Sequence, residues 1–159
     1  MSTDPGPLPW TLRAFGELSV EELYALLELR QRVFVVEQKC PYLDADGRDR
    51  ISFHLLGRGT GEILIAALRI VPPGGRFPEP SIGRVVTHPG YRGRGYGKAV
   101  MREGIRRCRG LFPGLPIRIS AQAYLERFYG ELGFERDREG NPYEEDGIPH
   151  IEMLLRAGE

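Results

Sequence analysis

Lysine is almost missing from this chain: of 22 basic residues only Lys39 and Lys98 are lysines. That bias reads as genome composition and selects no functional class. A one-signed charge is missing as well, since the 22 acidic residues bring the formal net charge to zero. The sequence therefore lacks the field that nucleic acid or an anionic membrane would select, and neither is an expected partner. Cysteine is confined to Cys40 and Cys108, too far apart for a CxxC redox motif or a zinc framework. Both read as reduced thiols, as in a cytoplasmic protein. The three histidines, His54, His88 and His150, show no ligand spacing, so no metal is expected. Long apolar runs are absent too: the longest, "ILIAAL", ends at Arg69, far short of the ~18 residues of a membrane span. "MSTDPGPLPW" has no basic start leading into an apolar stretch, so it is not expected to act as a signal peptide. Residues 1–9 read as a flexible leader.

What is present reads as one globular domain over 10–159. A chain of 159 residues suits a single domain, and 41% hydrophobic with 28% charged residues is ordinary for one. "WTLRAF" (10–15) reads as a strand. A helix follows, opened by a capping box of Ser19 and Glu22, with Leu23, Leu26, Leu27 and Arg30 on one face and Val33 and Phe34 continuing it. It is expected to stop near "VVEQKCPY". "RISFHLLG" and "GEILIAALRIV" flank a glycine-rich turn, a hairpin signal. "PPGGRFPEP" is a loop, "SIGRVVT" a strand, and "GYGKAVMREGIRRCRG" a helix with Val100, Met101, Ile105 and Cys108 inward. Its arginines Arg102, Arg106, Arg107 and Arg109 read as a solvated face. "IRISA" is a strand, "AYLERFYGEL" a helix closed by Gly133, and "FERD" and "HIEMLLR" are final strands flanking the loop "REGNPYEEDGIP". The order gives a mixed α/β domain, a sheet with flanking helices.

The chemistry concentrates in "GRVVTHPGYRGRGYGKAV", residues 83–100, where a β-branched run meets a glycine–arginine loop and then a helix. Glycines there let backbone N–H groups approach an anion, and the helix N-terminus adds partial positive charge. Arg92, Arg94 and Lys98 add more. A Walker A loop is excluded twice: Arg92 stands where its first glycine belongs, and Ala99 replaces the magnesium-binding hydroxyl. The dinucleotide fingerprint fails because Lys98 follows Gly93 and Gly95 at the third glycine position. The spacing that does fit is Arg-x-x-Gly-x-Gly, as Arg92, Gly95 and Gly97.

That motif resembles the acetyl-CoA-binding loop of the GNAT acyltransferases. "AYLERFYGELGF" resembles the later helix of the same family, and one helix and one strand separate the two motifs, as the family has it. "LYALLELRQRVFVVEQKCPYLDADGRD" and "YEEDGIPHIEM" narrow the resemblance to its ElaA-like branch. The resemblance implies a mostly antiparallel mixed sheet whose two parallel middle strands, "SIGRVVT" and "IRISA", splay apart around the thioester. It implies acetyl-CoA as cosubstrate, an amine acceptor, direct transfer in a ternary complex, and a homodimer as one allowed assembly. The alternative is a non-catalytic CoA-binding or sensing module of the same fold. By the same resemblance, Arg92, Gly93, Arg94, Gly95, Tyr96, Gly97 and Lys98 hold the pyrophosphate, and Val85, Val86 and Thr87 pair with pantetheine. Gln122 stands where the family often has an asparagine.

Tyr129 sits at the family's general-acid position, and a phenol is protonated at neutral pH. For the base the candidates are Glu37, His54, Glu144, Glu145, Asp146 and His150. Glu37 follows an apolar run, and His150 opens a strand beside an acidic loop, so these two lead. Arg30, Arg32 and Arg84 are candidates for an acidic part of the acceptor. Asp44, Asp46 and Asp49, with Glu144, Glu145 and Asp146, lean towards a cationic amine. Cys40 would be the nucleophile of a ping-pong route.

Overall fold

The computed structural model describes residues 8–158, so the leader expected over 1–9 lies outside that range except for its last two residues. Its strands are β1 (Trp10–Ala14), β2 (Phe53–Arg58), β3 (Leu64–Val71), β4 (Ser81–Thr87), β5 (Ile117–Gln122), β6 (Glu135–Arg136), β7 (Tyr143–Glu145) and β8 (Ile148–Leu155). Its helices are α1 (Val20–Arg30), α2 (Tyr96–Leu111) and α3 (Glu126–Glu131). One sheet runs β1-β2-β3-β4-β5-β8-β6, with β7 pairing β8. Every neighbouring pair is antiparallel except the parallel pair β4–β5.

β3 carries the long apolar run and is buried along its whole length, because both faces of the sheet are covered. On one face Val100, Met101, Ile105 and Cys108 of α2 pack over Leu68, Ile82, Ile117 and Met153. On the other, Leu26, Leu29 and Val33 pack over Leu56, Ala67 and Val86. Gly104 allows α2 to lie close: a Cβ there would stand 2.5 Å from Leu68.

The expected capping box opens α1, with Glu22 N–H donating to Ser19 Oγ at 3.0 Å and Ser19 N–H to Glu22 Oε1 at 2.9 Å. One expectation needs correction here. The buried stripe of α1 runs through Glu22, Leu26, Leu29 and Arg30, so Leu23 and Leu27 are only half-buried. The helix widens into a π-helical stretch, Gln31–Glu37, and ends within "VVEQKCPY" as expected. A second correction concerns "REGNPYEEDGIP", which holds the short strand β7. Asp146 and Gly147, at φ 52° and 78°, close its hairpin to β8 with two left-handed residues.

Candidate active site

β4 and β5 are paired only at Ser81 and Arg118. Beyond that pair they part, and a cleft of about 720 Å³ opens between them. β4 is reshaped at the same place. Two of its residues, Arg84 and Val85, stand opposite the single Leu68 of β3, and Arg84 takes a left-handed φ of 49°. This bulge shifts the alternation by one. Ile82 and Val85 face the α2 core, whereas Val86 faces the α1 core. Val85, Val86 and Thr87 thus line the cleft along an edge of β4 with no strand partner.

The glycine loop closes one end. Gly93 and Gly95 adopt φ of 77° and 84°, which L side chains rarely take. Gly95 is the N-cap of α2; no side chain caps it and no acid lies in the first turn. The first N–H groups of α2 therefore remain available to an anion. Arg92, Gly93, Gly95, Tyr96, Gly97 and Gln122 line the cleft. Arg94 and Lys98 do not: Arg94 lies 5.2 Å over the Tyr91 ring, and Lys98 Nζ pairs with Glu131 at 2.6 Å. Phe128 lines the cleft as well, 3.7 Å from where a Cβ on Gly97 would sit.

Tyr129 reaches the gap from α3 with 9% of its surface exposed, and burial pushes its phenol up to about 12. His150 arrives from β8, 8% exposed and stacked on Tyr143 with rings 5.9 Å apart. Its Nδ1 lies 2.7 Å from the Ile148 carbonyl, which can only accept, so the neutral ring is protonated on Nδ1. Nε2 keeps its lone pair, 3.7 Å from Glu145 Oε2. Glu37 is in the cleft too, but its carboxylate holds Arg92 at 2.6 Å. Of the remaining base candidates, Glu145 and Asp146 line the cleft, Glu144 does not, and His54 is fully buried elsewhere with Nε2 2.9 Å from the Asp49 carbonyl.

Three segments rim the side of the cleft under α1, each tied to the next by a polar contact. Arg48 Nε donates to the Gly75 carbonyl at 3.3 Å, joining segment 40–48 to loop 72–80. Arg76 Nη2 donates to Glu145 Oε1 at 3.3 Å, joining that loop to the β7–β8 hairpin. Cys40 Sγ donates to the Asp146 carbonyl at 3.3 Å and completes the ring. The first segment is anchored beneath by buried charge. Arg30, 1% exposed, donates to Asp44 at 2.8 Å and to Asp49 at 2.8 and 3.1 Å. Arg69, also 1% exposed, donates to Asp46 at 2.8 and 2.7 Å and to Asp49 at 3.0 Å. Arg84 Nε stands 2.8 Å from Asp44 Oδ1. Burial works to raise the Asp46 carboxyl, but the Arg69 fork outweighs it and holds the group below the usual carboxylate range.

Asp44, Asp46 and Asp49, read from the sequence as lining for a cationic amine, are therefore committed to arginines. The same network occupies Arg30 and Arg84, while Arg32 pairs at the surface with Glu28. Arg76 and Tyr143 were not among the sequence candidates. The Asp-Gly pair between β-prone stretches is a hairpin signal that points to Tyr143; nothing in "PPGGRFPEP" marks Arg76.

Residues 58–157 match the family model described as "Acetyltransferase (GNAT) domain". The Synechocystis protein named UPF0039 protein sll0451 is 46% identical, covering 93% of this chain and 95% of its own. Protein ElaA of Escherichia coli is 43% identical over 92% of this chain and 95% of its own. The crystal structure of an acyl-CoA N-acyltransferase from Pseudomonas aeruginosa superposes with a TM-score of 0.87 at 41% identity, covering 94% of this chain and 99% of that one. That of E. coli ElaA gives 0.85 at 39%, covering 94% and 100%.

Proposed function

The chain belongs to the acetyltransferase (GNAT) domain family, and from that premise we propose that it moves an acetyl group from acetyl-CoA to an amine by direct attack in a ternary complex. One observation carries the reading. The strand pair parts where an uncapped helix N-terminus faces the gap and a buried phenol enters it.

The residues fit the cosubstrate. Backbone N–H groups from Arg92 to Gly97, with the α2 dipole and the Arg92 guanidinium, hold the pyrophosphate. The free edge of β4 at Val85–Thr87 offers its backbone to the pantetheine amides, and Gln122 borders the same arm. Acetyl-CoA supplies an activated thioester. A backbone N–H on the free edge of β4 stabilises the thioester oxygen as it gains charge. His150 Nε2 removes a proton from the amine as the N–C bond forms. The C–S bond breaks, and Tyr129 gives its phenolic proton to the departing sulfur. Return of the proton from His150 to Tyr129 through solvent leaves one amide and one CoA thiol per acetyl-CoA and amine consumed. Glu37, the other leading base candidate, serves this scheme through Arg92.

Calorimetric titration with acetyl-CoA, with ATP and NAD as controls, is the first test. Micromolar binding of acetyl-CoA alone, followed by amine-dependent release of CoA thiol, is the expected result. Binding without turnover on any amine would leave a CoA-sensing module; folded protein that ignores acetyl-CoA would end the proposal.

A further inference from the structure

We infer that the acceptor is a small primary amine that also carries a carboxylate, and that Arg76 is the residue that binds that carboxylate. The inference rests on the proposed acetyl transfer and names the substrate class of the same site. Its ground is the difference between the arginines that line the cleft. Arg84 is committed to Asp44, with Nε 2.8 Å from the carboxylate and Nη2 donating to the backbone carbonyl at 3.0 Å. Arg48 is divided between Asp46 and the Gly75 carbonyl. Arg92 is held by Glu37 at the glycine loop. Arg76 has a loosely held partner: both its contacts to Glu145 are long, 3.3 and 3.5 Å, and the Glu145 side chain is 44% exposed. The contacts of Arg48 are as long, but its partner Asp46 is also gripped by the Arg69 fork, and Arg92 meets Glu37 at 2.6 Å.

A guanidinium fork is shaped to take a carboxylate through two parallel hydrogen bonds. Arg76 uses one nitrogen on Glu145 and lies over the Phe77 ring at 5.1 Å, which fixes its plane. An ion pair this exposed is weak and exchanges readily. A ligand carboxylate that takes the fork releases Glu145, and the released group already stands 3.7 Å from His150 Nε2. Glu145 and the neighbouring Asp146 then face the other end of the ligand, where an ammonium belongs. One rim segment thus presents a cation and the adjoining one two anions, the arrangement a small amine with its own acid group complements. The amine of such a ligand gives a proton to His150 Nε2, as in the proposed transfer. The amine that loses that proton attacks the thioester as above, so the product is an N-acetylated acid and free CoA thiol.

The test supplies acetyl-CoA with an equimolar mixture of the standard amino acids, and separately with their carboxamides. Products are read by mass and turnover by thiol release. Acetylated acids are expected, with the corresponding amides slower in kcat/KM by roughly ten- to a hundred-fold, the range for one charge-assisted contact. Arg76→Gln should shrink that acid-to-amide ratio towards one by raising KM for the acids, and Arg76→Lys should restore part of it. Thermal melting of both variants checks that they fold. Amides acetylated as fast as acids would overturn the inference and leave acetyl transfer standing. An unchanged ratio in a folded Arg76→Gln variant would overturn the role of Arg76. No product from either mixture, with acetyl-CoA binding intact, would overturn the substrate class; loss of acetyl-CoA binding as well would remove the proposed function beneath it.

Discussion

Tyr129 and His150 approach the cleft from opposite faces of the sheet, and each is prepared for a different duty by its surroundings. The phenol is enclosed by Phe128 and Phe134, so its ionised form is penalised and the group is pushed up to about 12. A raised pKa favours the protonated form, so Tyr129 stays a donor well above the pH near 10 at which an ordinary tyrosine ionises. In the proposed scheme, Tyr129→Phe should bind acetyl-CoA as the parent does and lose about 10²-fold or more in kcat. The kcat profile of the parent should show no phenolic decline up to about pH 10. A decline near pH 10 that vanishes in Tyr129→Phe would contradict the buried-acid role. His150 is readied by tautomer, since the Ile148 carbonyl fixes the proton on Nδ1 and leaves Nε2 to accept.

At the scale of elements, the segment between α1 and β2 shows what sequence patterns reveal and what they hide. β4 is legible to the residue as "SIGRVVT", and α2 with its four inward residues is nearly so, because apolar periodicity and glycine punctuation are local signals. The glycine loop was legible for the same reason. The buried charge network was not. Its partners lie 14 to 40 residues apart, and an aspartate bound for a buried guanidinium looks in sequence like one bound for solvent. The three-residue β7 escaped because a strand that short has no period to read, although its Asp-Gly turn was visible. Asp49 is the node of the network, accepting from both Arg30 and Arg69. Asp49→Asn should leave two buried guanidiniums short of charge and cost about 3–5 kcal/mol. Urea unfolding with an unchanged slope would measure it. Glu103→Gln, which strips the α2 surface pairs with Arg106 and Arg107, should stay within about 0.5 kcal/mol as the control.

For the whole molecule, the same network sets the response to acid. Burial lowers the pKa of His54, and the arginines, working against burial, lower those of Asp46 and Asp49. In each case the unfolded chain binds protons more readily than the folded one, so stability is fully present above the unfolded values and falls as pH drops. His54 should begin the loss below about pH 6.5, and the aspartates should deepen it below about pH 4. Thermal melting across pH 8 to 3 would follow this, and a melting point that rises on acidification would contradict it. The single backbone pairing of Ser81 with Arg118 has a consequence of another kind. It divides the ladder into two small sheets that share a core yet are barely laced together, each able to open and exchange its amides on its own schedule. A pantetheine arm laid along β4 would add lacing where the chain left it out. On the proposed reading the cosubstrate is then a temporary strand as well as a reagent, and its departure returns the molecule to two loosely coupled folding units.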